Sequence, residues 1–204
     1  MNKRILSLTP ALVLVLLLAG CGSSPANNYY LLSAHEFPAA GGETPSIGVG
    51  PIVVPEYLSR ESMVHNRTGN TLQVASLDLW AEPLVDGIQR VMVLNLAGLL
   101  NTQDVQFFPW HRKRAPEYGV KVNLLQLEAN GQQVLLTAQW LIYRPGSATT
   151  VQRRISRLQS TLAAGTLEGD QVAAAYSDLL YQLSEIIAVA VTSDRSSASE
   201  TKKQ

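Results

Sequence analysis

Protein chemistry starts from nucleophiles, paired acids or metal ligands, and this sequence offers few of them. It has one cysteine, Cys21, and three histidines, His35, His65 and His111. The histidines stand far apart in polar, loop-like stretches, not at the short spacings that let ligands converge on a metal. No nucleophile elbow, phosphate loop, dinucleotide fingerprint or histidine-based triad occurs. Glu82 and Asp86 stand one helical turn apart, the spacing of an acid–base pair. The simpler reading makes them first-turn carboxylates that favour the positive end of a helix. The sequence therefore predicts no catalytic residue, no cofactor and no metal.

Cys21 is the exception. Ahead of it come two cations, Lys3 and Arg4, then a mostly apolar stretch from Ile5 to Leu18, then Ala19 and Gly20. A basic start, a short apolar run and a small-residue exit, in that order, make a secretory signal. A bilayer-spanning helix needs about 20 apolar residues, and Thr9 and Pro10 interrupt this run. Leu18-Ala19-Gly20-Cys21 resembles the bacterial lipobox, in which the thiol takes a diacylglyceryl group and the chain is cut just before it. Sulfur is required because the thiolate is the nucleophile that makes the thioether. The alternative, an ordinary signal in which Cys21 is incidental, leaves the approach to the sole cysteine unexplained. Each buried methylene contributes about 0.8 kcal/mol, so two or three acyl chains hold where one would not. The residue after Cys21 is Gly22 and not aspartate, which in the lipobox pattern implies the outer membrane, facing the periplasm, over the inner membrane.

Removal of residues 1–20 from a chain of 204 leaves 184, with 14 basic and 16 acidic residues, net −2. Nothing here is basic enough to suggest nucleic acid as a partner. The hydrophobic fraction, 46 %, is that of a globular domain. No second apolar run long enough to span a bilayer follows Cys21. With Cys21 acylated no thiol remains for a disulfide, a zinc site or catalysis.

The elements follow from periodicity. Residues 21–27 read as a tether, and 193–204 as a disordered polar tail. Between them, residues 28–192 read as one domain. Tyr29 to Leu32 and Ile47 to Val54 have strand character, with Pro51 arguing for an edge or a bulge. Ser62 to Asn66 and Thr71 to Ala75 are joined by the hairpin chemistry of Thr68-Gly69-Asn70. Trp80-Ala81-Glu82-Pro83 opens a helix that runs to about Leu100, and Val105 to Pro109 is a strand. Tyr118–Ala129, Gln133–Tyr143 and Thr149–Leu162 form an antiparallel meander, turning at Asn130-Gly131 and Pro145-Gly146. Val134, Leu136, Ala138, Trp140 and Ile142 alternate to one face. In the preceding strand the apolar parity changes at Leu125, which predicts a bulge or burial on both faces. Leu167 to about Thr192 carries the broad apolar stripe of a helix packed on a sheet. The fold class is α+β: one domain with a mixed, mainly antiparallel sheet and two long helices packed on one face.

Candidate contacts for a partner come from aromatics beside charge. Trp80, with Glu82 and Pro83, sits at a helix entry, where core packing competes with a partner-facing role. Trp110 precedes His111-Arg112-Lys113-Arg114, a basic cluster suited to anionic lipid or a partner. The competing reading for Trp110 and Arg112 is a solvated loop. Arg153, Arg154 and Arg157 read as an exposed strand face.

Two motifs carry a resemblance. Gly48-Val49-Gly50-Pro51-Ile52-Val53-Val54-Pro55-Glu56-Tyr57-Leu58, and Leu79-Trp80-Ala81-Glu82-Pro83-Leu84 leading into Arg90-Val91-Met92-Val93-Leu94-Asn95-Leu96, resemble the PqiC-type lipoproteins of the ABC-type transport auxiliary lipoprotein family. The likeness covers roughly residues 28–190. It implies a subunit of an envelope transport system built around an MCE-domain protein that bridges the two membranes, with an inner-membrane permease. In such systems the lipoprotein would dock at the outer membrane, without enzymatic activity, and support membrane integrity. The resemblance leaves room for a homo-oligomeric collar. A different expectation, that the domain itself carries a lipid, requires an apolar cavity between helices and sheet.

Overall fold

A computed structural model describes residues 26–42, 44–68, 70–162 and 168–201. The signal segment, Cys21, most of the tether, Gly69 and residues 202–204 of the expected tail lie outside these. The strands are β1 (Asn28–Tyr30), β2 (Ile47–Val53), β3 (Ser62–Thr68), β4 (Thr71–Trp80), β5 (Val105–Phe107), β6 (Tyr118–Asn130), β7 (Gln133–Arg144) and β8 (Thr149–Thr161). The helices are α1 (Leu84–Leu99) and α2 (Gly169–Thr201).

The α+β class holds, but the strands divide into two sheets. One has five strands in the order β5-β2-β6-β7-β8, and the other has three, β1-β4-β3. β6, β7 and β8 pair antiparallel in register from Gly119↔Tyr143 to Arg144↔Thr149, as the Asn130-Gly131 signal predicts. β2 runs parallel to both of its neighbours, β5 and β6. Pro51 therefore sits inside the sheet, and the strand accommodates it by a register shift between Val49 and Ile52. A proline has no N–H to give to the ladder, and a bulge is where that loss is tolerated.

The parity change in β6 has the same origin. A register shift between Leu124 and Gln126 makes Leu125 the extra residue, which turns outward while Leu124 and Leu127 stay buried. Val134, Leu136, Ala138, Trp140 and Ile142 on β7 are all buried and form the floor of the core. α1 and α2 pack against each other and against this face.

Two expectations need correction. The first helix starts later than Trp80, which is the last residue of β4. Sheet pairing wins there, since the Trp80 N–H donates to the Glu61 carbonyl at 2.7 Å and the Ala81 N–H to the Tyr30 carbonyl at 2.9 Å. Asp78, on the same strand, accepts from the Asn28 amide and the Tyr30 hydroxyl. The second helix does not stop at Thr192, because α2 continues to Thr201 through residues expected to be a disordered tail. Arg144 holds this extension: its Nη2 donates to Asp194 Oδ2 at 2.6 Å and to the Tyr118 hydroxyl at 2.9 Å. The Tyr118 hydroxyl in turn donates to the same carboxylate oxygen at 2.8 Å. Burial first, then the hydrogen bond to Asp194, pushes the Tyr118 phenol above its ordinary pKa, so it stays a donor.

The segment after β1 has no regular secondary structure. Residues 31–40 form a strap over the two helices, tied by buried polar groups. The Ser33 N–H donates to Ser177 Oγ on α2 and the His35 N–H to Asn95 Oδ1 on α1, both at 3.0 Å. The His35 ring stacks on Tyr181, with centroids 3.7 Å apart. This explains why Asn95 and Ser177 interrupt apolar stripes. A buried polar group is costly unless paired: Ser177 Oγ and Asn95 Oδ1 each accept from the strap, while Asn95 Nδ2 has no hydrogen-bond partner among the described residues.

Candidate functional site

The two motifs single out two places, and the structure gives them different roles. The Trp80-Ala81-Glu82-Pro83 stretch is a clasp. Trp80 is only 7 % exposed and its ring lies 6.1 Å from that of Tyr176 on α2, which leaves no ring face for a partner. Glu82 accepts from Arg90 Nε at 3.1 Å and Nη2 at 2.5 Å. The same Nη2 donates to the Leu32 carbonyl at 2.8 Å, so one guanidinium ties the helix entry to the strap. Glu82 therefore pairs with Arg90, while Asp86 is exposed, and the two do not make an acid–base couple. Pro83 caps α1 through its carbonyl, which receives the Asp86 and Gly87 N–H groups.

The second place is the segment after β5. Phe107 and Phe108 are 52 % and 40 % exposed, and Phe108 meets the half-buried Trp110 edge-on, with ring centroids 5.3 Å apart. Arg112–Arg114 forms a single 3-10 turn whose three cations are all exposed. His111 Nδ1 caps that turn, accepting from the Lys113 N–H at 3.2 Å. Among the described residues none of these cations has a carboxylate partner. Trp110 and Arg112 thus lie on one aromatic and basic surface, and Trp80, Glu82 and Pro83 belong to the clasp. Sequence reasoning passed over Phe107 and Phe108; the signal was a pair of adjacent large aromatics in a strand too short to bury both.

The glycines of Gly48-Val49-Gly50-Pro51 make the bed for this surface. Ile47 and Val49 are buried toward the helices, and Gly48 faces the other way. A Cβ on Gly48 would lie 2.5 Å from the Trp110 ring and 2.7 Å from Pro116. Gly50 has φ +119°, and a Cβ there would lie 2.7 Å from Phe108 Cβ. Gln89 from α1 closes the arrangement, its amide donating to the Val49 carbonyl at 2.8 Å and to that of Phe108 at 3.3 Å. Gly48→Ala should displace the Trp110 ring and cost about 1–3 kcal/mol by overpacking. Denaturant unfolding with tryptophan emission checks this, because Trp80 and Trp140 are buried and a red shift of the native spectrum reports Trp110.

His35 lies 3.8 Å from Asp178, and the described residues hold no group of three or more potential metal ligands. No described helix is long and apolar enough to cross a membrane. A filled helix–sheet core, a strapped N-terminal segment and an exposed aromatic–basic surface are the features that mark this domain.

The chain belongs to the family of ABC-type transport auxiliary lipoprotein components, which it matches over residues 29–188. It is 27 % identical over 156 residues to the intermembrane transport lipoprotein PqiC of Escherichia coli (strain K12), across 72 % of this chain and 80 % of that protein. PqiC of Shigella flexneri is similar to the same extent. The crystal structure of protein XCC0632 from Xanthomonas campestris has the same fold, with TM-score 0.63 and 15 % identity over 84 % of this chain and 99 % of that one. A second crystal structure, of an uncharacterized protein, matches with TM-score 0.62 and 18 % identity over 82 % of this chain and 99 % of the other.

Proposed function

We propose that this protein is the docking subunit of an MCE-type intermembrane transport system, anchored through Cys21 to the outer membrane and facing the periplasm. Its role is non-enzymatic: it joins that membrane to an MCE-domain protein spanning the periplasm and, through it, to an inner-membrane permease. The material moved is lipid or another hydrophobic molecule. Support comes from the family of transport auxiliary lipoproteins and from a relative named for intermembrane transport. The observation that carries docking over catalysis is the exposed surface of Phe107, Phe108, Trp110 and Arg112–Arg114. Aromatic residues and arginine are the commonest interface anchors. A cargo-carrying role is less well supported, because the core residues between helices and sheet are packed together at near-zero exposure.

The test is capture of the anchored protein from crosslinked membranes. The MCE protein should co-purify. Combining Trp110→Ala with Arg112→Glu should weaken capture by about tenfold or more, in keeping with the loss of one aromatic anchor and one charge. The melting temperature should fall by no more than about 2–4 °C, and membrane attachment should stay unchanged. Unchanged capture by the double variant would move the interface elsewhere. Failure to recover any MCE protein, even with crosslinking, would overturn the docking role.

A further inference from the structure

We propose that the β3–β4 hairpin is a second membrane contact, which sets the domain's orientation on the bilayer that holds its N-terminus. The inference rests on the lipid-anchor reading of Cys21. β1 lies parallel to β4, with Asn28 opposite Asp78 and Tyr30 opposite Trp80. The axis of β1, followed back from Asn28, therefore points the same way as β4 followed back from Asp78 to Thr71, toward the hairpin turn. The lengths agree as well. Seven residues from Cys21 to Asn28 reach about 25 Å when fully extended. The seven steps of strand from Asp78 back to Thr71 cover about 23 Å. A domain standing upright on its tether has the hairpin tip at the membrane, with no slack to hold it clear.

The hairpin has the composition for that position. Leu72 and Val74 share one side of β4 and are 42 % and 41 % exposed. Between Glu61 and Asp78 the only Asp, Glu, Lys or Arg is Arg67. A headgroup surface attracts a lone cation and repels carboxylates, and here there are none to repel. β1 covers only residues 78–80 of β4, so nearer the turn the ladder consists of β3 and β4 alone. A two-stranded ribbon is marginal in water and gains from a surface that covers its apolar side. The competing occupant of that side is a second copy of this chain.

The experiment uses the lipidated protein in vesicles of phosphatidylethanolamine and phosphatidylglycerol. Cys21 is the only native cysteine and its thiol is consumed by the lipid, so Leu72→Cys supplies a single labelling site. Val74→Cys is the second variant, and Ile155→Cys, at a 62 % exposed position on β8 in the other sheet, is the control. A fluorophore at Leu72 or Val74 should be quenched by nitroxide-labelled lipid at least about threefold more than one at Ile155, as for an interfacial residue. Retention of that contrast below one protein per vesicle supports bilayer contact. A contrast that appears only at high protein density overturns it in favour of contact between copies. Protein that floats with vesicles but keeps all three labels equally wet overturns the hairpin contact alone. Protein that does not float and carries no acyl mass on Cys21 overturns the anchor reading too.

Discussion

Replacing Cys21 with serine should move the protein almost entirely from the membrane fraction to the soluble one while leaving the domain folded. A hydroxyl does not make the thioether, so neither the diacylglyceryl group nor the later acyl chain is attached. Long acyl chains supply on the order of 10 kcal/mol each by the methylene count, before losses. The partly exposed Leu72 and Val74 cannot replace that; full burial of a leucine or valine side chain contributes about 1.5–3 kcal/mol. Folding should be indifferent to the change. The first strand pair is Asn28 with Asp78, and everything that ties the strap down lies after it. Fractionation after osmotic lysis, with thermal unfolding of the released protein, checks both halves. A serine variant that stays with the membrane would show that protein contacts hold it there. Full transport activity in a released variant would make the anchor incidental.

The second large effect is on stability. Trp140→Ala should cost about 3–5 kcal/mol, the range for deleting a buried aromatic side chain. Trp140 is 1 % exposed on β7, between Val122 of β6 and Arg154 of β8, with α2 packed on the same sheet. Its Nε1 donates to Ser156 Oγ at 2.9 Å, so truncation opens a cavity and takes away a hydroxyl's partner. Domains of this size are stable by roughly 5–15 kcal/mol, which makes this a large fraction of the total. The denaturant midpoint should fall with little change in slope. Trp110→Ala is the contrast, because its ring is only half-buried and its loss should cost about 1 kcal/mol or less. Equal losses at the two sites would mean that Trp110 is a core residue and not an anchor.

The meander was legible because its signals agree. Strict alternation in β7, a hairpin dipeptide at Asn130-Gly131 and a parity change at Leu125 all point to one register, and the structure has it. The same holds for the apolar stripe of α2. What could not be read locally was decided by distant partners. Trp80 looks like a helix opener until Glu61 and Tyr30 supply strand pairing. The serine-rich end of α2 has the composition of a loose tail, and the Arg144–Asp194–Tyr118 contacts that hold it join residues 50 and 76 apart in sequence. Pro51 was legible in part: it argued for an edge or a bulge, and only the assembled sheet decides for the bulge. Of the candidate contacts, Trp110 and Arg112 were visible as an aromatic beside a charge cluster. The clasp role of Glu82 was not, since its partner Arg90 acts through the Leu32 carbonyl of a segment without periodicity.

The strap also fixes how the protein bears mechanical load. Tension on an N-terminal anchor enters the fold at Asn28 and runs along β1 and residues 31–35. On that line lie the β1–β4 ladder, the Ala81–Tyr30 bond, the Arg90–Leu32 bond, and the bonds of Ser33 and His35 to the two helices. A pull directed along the strand shears the ladder as a set and does not peel it one bond after another. The strap bonds behind it hand the remaining force to both helices at once. Forced unfolding is governed by the unfolding barrier, and a parallel strand backed by a strap puts that barrier where the leash meets the domain.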